Sequence, residues 1–125
     1  MISVVIPLLN EGNLVKQLIE EVFENLQITK EEFEVVCVDD GSTDATLPKL
    51  LDFRNKDNRL KVIPFSRNFG LQAALTAGLD MAKGEYVIIM DGDFQDPPEL
   101  IPVLFNKIKK GNSDIVTAVR DQRNE

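Results

Sequence analysis

The sequence predicts an α/β fold built on a doubly wound, mostly parallel sheet with helices on both faces. Three observations predict it. Apolar runs of strand length alternate with stretches of helical period along the whole chain. The runs are continuous rather than alternating, as strands covered on both faces require. Finally, a polar cluster follows each of the first four runs, at the strand ends where open α/β sheets hold ligands.

The elements follow in order. Ile2 to Leu8 reads as a strand that Asn10-Glu11 closes, and Leu14, Leu18, Val22 and Leu26 place an apolar stripe on a helix from Leu14 to Leu26. Phe33 to Val38 is a second buried strand. Ser42 or Thr43 is expected to cap the next helix, which carries Leu47, Leu50, Leu51 and Phe53. Leu60 to Phe65 forms a third strand. In the helical stretch Phe69 to Ala82, the small residues Ala73, Ala74, Ala77 and Gly78 predict close packing on a neighbour. Tyr86 to Met90 is a fourth strand, Pro97 and Pro98 open a helix over Leu100 to Ile108, and Lys109, Lys110 and Gly111 end it. Asp114 to Val119 supplies a fifth strand. No linker, repeat or low-complexity stretch interrupts the series.

Composition narrows the chemistry. With 125 residues, 43% hydrophobic and 28% charged, the chain is long enough for one domain with a core. It has no histidine and no tryptophan, and Cys37 is its one cysteine. Ser-His-Asp catalysis, imidazole or cysteine-rich metal sites and disulfides are thereby excluded within it. A net charge of -7 argues against a nucleic-acid surface. An anionic ligand would need a cation between itself and the protein. The apolar start is too short for a signal sequence or a span. Cys37 suits a reducing cytoplasm, although its apolar neighbours also make it a plain core residue.

The strongest chemical signal is Asp91-Gly92-Asp93-Phe94-Gln95-Asp96, between a buried strand and a proline-started helix. Two carboxylates leaving one strand through a glycine can turn toward a single hard cation, Mg²⁺ or Mn²⁺. From 84 to 106 the chain holds Glu85, Asp91, Asp93, Asp96 and Glu99 and no lysine or arginine. An EF-hand does not fit, because counting from Asp91 its glycine and glutamate positions hold Asp96 and Pro102.

A second cluster is Asp39-Asp40-Gly41-Ser42-Thr43-Asp44. Dinucleotide binding is poorly supported, since no G-x-G-x-x-G follows the first strand, and a phosphoacceptor receiver would pair acids on other strands. Asp39 is placed to accept hydrogen bonds from a base or ribose. Thr43 and Asp44 also read as residues of a helix first turn. In the third cluster, Ser66-Arg67-Asn68-Phe69-Gly70, Arg67 could reach a phosphate or pair with one of the chain's own acids.

Together, Val5-Ile6-Pro7 with Asn10-Glu11, the Asp39 to Asp44 run, Arg67-Asn68-Phe69-Gly70, Ala82-Lys83-Gly84 and Met90 to Glu99 resemble family 2 glycosyltransferases of GT-A, Rossmann-like fold. The D-x-D-x-Q-D-P-P-E run most resembles the dolichol-phosphate mannosyltransferase and bactoprenol glucosyltransferase branch. The resemblance implies that Pro7, Asn10 and Glu11 line a nucleotide pocket, with Glu11 on ribose and Asp39 on the base. Asp40, Arg67, Asn68 and Gly92 are expected in the same nucleotide-sugar site. It further implies that Asp91, Asp93 and Gln95 hold Mg²⁺ or Mn²⁺, with Asp91, Asp93 and Arg120 as the catalytic set. Arg120 would meet an acceptor phosphate. Gly92 and Phe94 stand where alanine or serine and leucine are commoner.

The implied activity is inverting transfer of a hexose from a nucleoside-diphosphate sugar to a polyprenyl phosphate on the cytoplasmic membrane face. A phosphate acceptor is already anionic and needs no strong base, which suits a chain without histidine. Transfer to a saccharide hydroxyl would need a carboxylate base, Asp96 or one beyond Glu125. A nucleotide-binding module without turnover is the alternative of another class. Because the resemblance ends just after Arg120, residues 1–125 are read as the donor-binding part of a longer enzyme, with acceptor and membrane contacts beyond it. Such a part should bind nucleotide and metal yet turn over poorly alone; a homo-oligomer is compatible with it.

Overall fold

In a computed structural model, residues 1–110 and the backbone of 115–117 are described. The elements are β1 (Ile2–Leu8), α1 (Val15–Ile28), β2 (Phe33–Asp39), α2 (Thr46–Lys56), β3 (Leu60–Pro64), α3 (Leu71–Met81), β4 (Tyr86–Ile89), α4 (Leu100–Lys110) and β5 (Ile115–Thr117). The predicted helix end at Gly111 and the outer residues of the fifth strand, Asp114 and Val119, lie outside the described residues.

The five strands form one sheet in the order β3-β2-β1-β4-β5, every pair parallel. Its register sets Ile2 opposite Phe33 on one side and Tyr86 on the other. Alternation along β1 sorts its side chains into two layers. Ile2, Val4, Ile6 and Leu8 join the main core with Val15, Leu18, Ile19, Val22, Phe23 and Leu26 of α1 and Ile101, Phe105 and Ile108 of α4. Val5 joins Val36 and Val87 on the opposite face, where α3 lies. There Gly78 has a steric reason: a Cβ would sit 2.4 Å from Val5 Cγ1 and 3.2 Å from Val38 Cγ2.

The amino-terminal edge of the sheet is tied by a buried carboxylate. Glu34 on β2 accepts hydrogen bonds from Ser3 on β1 (2.5 Å), the Lys83 N–H ahead of β4 (2.6 Å) and Lys61 on β3 (2.7 Å). The Gly84 N–H donates in turn to Ser3 Oγ at 2.8 Å. Burial alone would raise the Glu34 pKa, but these donors outweigh it and hold the carboxyl below its ordinary value. Cys37 is fully buried in the main core, which pushes its thiol far up and leaves it a packing residue.

Three expectations are corrected. Neither Ser42 nor Thr43 caps α2, which starts at Thr46 after Ala45. Those hydroxyls instead reach the loop after β1. The buried stripe of α1 begins at Val15 rather than Leu14, which is 37% exposed. Among the small residues of α3, only Ala74 and Gly78 are buried.

Candidate functional site

The order of the strands reverses at β1, whose neighbours β2 and β4 lead to opposite ends of the sheet. In open α/β sheets the crevice at the carboxyl ends of two such strands is where ligands lodge. Asn10-Glu11, Asp39-Asp40 and Asp91-Gly92-Asp93 leave the sheet there, with Arg67-Asn68 following β3 one strand further out.

The loops after β1 and β2 are joined by side chains. Three successive N–H groups donate to hydroxyl or carboxylate oxygens: Asn10 to Ser42 Oγ (2.8 Å), Glu11 to Thr46 Oγ1 (2.9 Å) and Gly12 to Asp44 Oδ2 (3.0 Å). Asn10, with φ of 54°, also turns its Oδ1 to accept the Thr43 N–H at 2.8 Å. Left-handed backbone suits asparagine better than most residues.

Asp39 ends β2 at 1% exposure, and its Oδ1 has no hydrogen-bond partner. An unpaired buried acceptor is costly, so a ligand donor that reaches it gains from the vacancy. Asp40 has a different task. Its Oδ1 accepts the Phe69 N–H at 2.8 Å, and its two oxygens accept the Gly70 N–H at 3.3 and 3.2 Å. This carboxylate fixes the turn into α3. Gly41, with φ of +78°, lies so close to that turn that a Cβ would be 2.2 Å from the Arg67 carbonyl carbon. Arg67 forms no ion pair among the described residues; its guanidinium lies 4.6 Å from the centre of the Phe69 ring. Pro7, Leu8, Leu9, Asp40, Asn68 and Gly70 border a cleft of about 290 Å³ at this edge. A larger cleft of about 370 Å³ between α1 and α2 includes none of the carboxyl-edge acids named above.

After β4 the chain turns back beneath β1. Gly92 is buried there, where a Cβ would be 2.1 Å from Leu8 Cδ2 and 3.1 Å from the Pro7 carbonyl oxygen. It shapes the loop by this close approach. Asp96, 4% exposed, accepts the Asp91 N–H at 3.0 Å, and Asp93 Oδ1 accepts the Gln95 N–H at 3.1 Å. Phe94 packs on the main core with φ of 65°. Glu11 faces this loop: burial first, then the charges of Asp93 and Asp44, raise its pKa. Neither Glu11 nor Asp93 has a basic partner among the described residues.

These donors suit a hard divalent cation. They are carboxylates and an amide, all oxygen ligands, in a pocket whose acids repel one another. Among the described residues, no three acids or cysteines converge as a complete metal cage. Mg²⁺-type ions commonly take only one or two carboxylates and complete their shell with water and substrate phosphate. Two carboxylates such as Asp91 and Asp93 would therefore suffice as the protein's share for such an ion, with Gln95 close in sequence. Arg120 lies outside the described residues.

Sequence reasoning overlooked Ser42 and Thr46 as site-forming residues. Their alternation with Asp44 was visible, but their partners lie more than 30 positions upstream, which no local pattern reveals.

The carboxyl edge at the switch point gathers Asp39, Asp40, Asp91 and Asp93 beside a cleft of about 290 Å³, the place where enzymes of open α/β fold hold their ligands. The chain belongs to glycosyl transferase family 2, whose family model matches residues 3–125. It is 40% identical over 122 residues to a bactoprenol glucosyl transferase of Shigella phage SfV, covering 98% of this chain and 39% of that protein. Among solved structures it resembles the mannosyltransferase PcManGT from Pyrobaculum calidifontis in complex with GDP-Man and Mn²⁺. That match has a TM-score of 0.72 and 28% identity and covers 86% of this chain and 31% of the other. Staphylococcus aureus TarS 1-349 in complex with UDP-GlcNAc gives a TM-score of 0.68 at 32% identity, covering 89% and 32%. The GT-A fold expected from the sequence is thus the fold observed. The chain spans 35% to 39% of the length of the curated relatives it matches. Among the described residues no helix is long and apolar enough to cross a membrane.

Proposed function

We propose that this chain is the donor-binding part of an inverting hexosyltransferase that moves a sugar from a nucleoside diphosphate to a polyprenyl phosphate at the cytoplasmic membrane face. The observation that carries the donor half is Asp39, a buried carboxylate with an unpartnered oxygen at the switch-point crevice. It accepts a hydrogen bond from the base and Glu11 takes a ribose hydroxyl, at the same sheet edge as the cleft that Pro7 and Asn68 border. Asp91 and Asp93, with Gln95, hold Mg²⁺ or Mn²⁺. When bound, such an ion supplies positive charge against the departing diphosphate. Arg67 stacks on Phe69 at the rim, within the set assigned to the donor.

The acceptor half is supported by the bactoprenol glucosyl transferase at 40% identity and by Asp96. A hydroxyl acceptor needs a general base, and Asp96 is buried with an oxygen committed to the Asp91 N–H. A phosphate acceptor is already ionised, and Arg120 orients it through a charge-assisted bond. Catalysis then rests on Asp91, Asp93 and Arg120, with membrane and acceptor contacts supplied by the rest of a longer protein.

The test is calorimetry of a nucleoside-diphosphate sugar with and without Mn²⁺ on the wild type and Asp93→Ala. Wild-type binding should strengthen with metal, and the variant should lose that gain. Unchanged metal dependence in the variant overturns the assignment.

A further inference from the structure

We infer that Ser42, Asp44 and Thr46 are positioning residues of the donor site, acting as a three-rung clamp that fixes the backbone of Asn10, Glu11 and Gly12. This rests on the donor-site reading above and adds the device that holds its first loop in place. Three alternate side chains, two from the β2–α2 connection and one from the first residue of α2, accept from three consecutive N–H groups of the β1–α1 connection. Among the described residues no backbone–backbone bond joins Asn10, Glu11 and Gly12 to this segment, so side-chain oxygens satisfy N–H groups that have left the sheet.

The middle rung is the critical one. Thr46 is fully buried; its hydroxyl accepts the Glu11 N–H at 2.9 Å and donates its own proton to Asp44 Oδ1. Asp44 therefore receives the Thr46 hydroxyl and N–H on one oxygen and the Gly12 N–H on the other. Lys49 of α2 completes the hold by donating from Nζ to the Gly12 carbonyl at 2.6 Å. Gly12 lies so close that a Cβ would be 2.9 Å from Asp44 Oδ2. Every polar backbone group of Gly12 is thus gripped from α2 or the loop before it.

The geometry explains the placement of Glu11. Its carboxyl shares a field with Asp93 and Asp44, and like charges would drive an unrestrained loop outward. The clamp holds the Glu11 backbone against that repulsion, so the residue is in place before ligand arrives and little ordering is left to oppose binding. The Glu11 carbonyl also accepts from Leu14 and Val15 at 3.0 and 2.9 Å, so the same residue starts α1.

The experiment compares Thr46→Val, which keeps the shape and removes the hydroxyl, with Thr46→Ser, which restores it. Binding of UDP-glucose and GDP-mannose with Mn²⁺ is measured by calorimetry, and amide exchange is read at Glu11 and Gly12. Thr46→Val should weaken binding roughly tenfold or more, the scale of a buried donor left unpaired. It should also speed exchange at those two amides while the Ile6 and Val36 amides stay protected, and Thr46→Ser should recover affinity. Lys49→Met serves as the second variant if Thr46→Val does not fold, with a smaller loss in the same direction. Tight binding in Thr46→Val equal to wild type overturns the clamp and leaves the donor reading intact. Absence of nucleotide-sugar binding by the wild type overturns the donor reading and the clamp's role with it.

Discussion

The Asp96 carboxylate accepts the Asp91 N–H at 3.0 Å across the loop that follows β4. The bond spans five positions in sequence and closes the Asp91 to Asp96 segment into a ring, so the backbone at the first carboxylate is held by the last. Asp96→Ala should leave the fold intact and weaken metal-dependent nucleotide-sugar binding about tenfold, the cost of one charge-assisted bond. Asp96→Asn, which keeps an acceptor oxygen, should retain most of the affinity. Titration of Mn²⁺ in the presence of nucleoside diphosphate measures both.

Asp39 makes a different prediction, because its unpartnered oxygen is on β2 and not in the Asp91 to Asp96 loop. Asp39→Ala should weaken nucleoside diphosphate binding roughly 10-fold to 100-fold, by the same factor with and without Mn²⁺. Calorimetry at both conditions separates this from the Asp93 effect, which should vanish without metal. An equal loss in the two variants under all conditions would contradict the separate roles.

Gly92 and Gly41 should differ in cost. At Gly92 the obstacle is chiefly the end of the Leu8 side chain, with the Pro7 carbonyl at the limit of contact, so Gly92→Ala should destabilise by about 1–3 kcal/mol as Leu8 moves. At Gly41 the obstacles are the Arg67 and Asn68 backbones, and φ is +78°. Gly41→Ala should exceed the first cost and displace the turn held by Asp40. Urea unfolding of the two variants ranks them.

Acid should probe the Glu34 network. Its folded pKa lies below the reference of 4.5, so its contribution is complete above that pH and is lost as pH falls through the folded value. Glu34→Gln should lower stability at pH 7 and flatten the decline in acid, because the variant has no charge left to lose. Thermal melts between pH 7 and about pH 3 supply the comparison; a parallel decline in both proteins would remove Glu34 from the account.

Legibility from sequence followed the range of the interactions. The strands were readable because Val35, Val36 and Val38 form an uninterrupted apolar run, and buried parallel strands need little else. The helix α4 was readable from Pro97 and Pro98, whose carbonyls accept the Leu100 and Ile101 N–H groups at 3.0 Å. Asp39 was placed correctly at a strand end, though only the structure separates its open oxygen from the occupied oxygens of Asp40. The start of α2 was misplaced because Ser42 and Thr43 look like caps by type, whereas their oxygens bond to Asn10. A capping residue and a loop clamp draw on the same short polar side chains, and only the distant partner distinguishes them.

The central position of β1 also has a consequence for biosynthesis. Ile2 pairs with Tyr86 on one side and Phe33 on the other, so β1 is synthesised well before β4 and waits for it before its second edge is covered. Until then the nascent chain carries an uncapped apolar ribbon, the kind of edge that recruits stray strands. The same arrangement brings the Asp91 to Asp96 loop to the sheet edge after the loops that follow β1 and β2. Premature termination before Tyr86 would leave the Asn10 to Gly12 and Ser42 to Thr46 loops able to meet, but no Asp91 or Asp93 beside them.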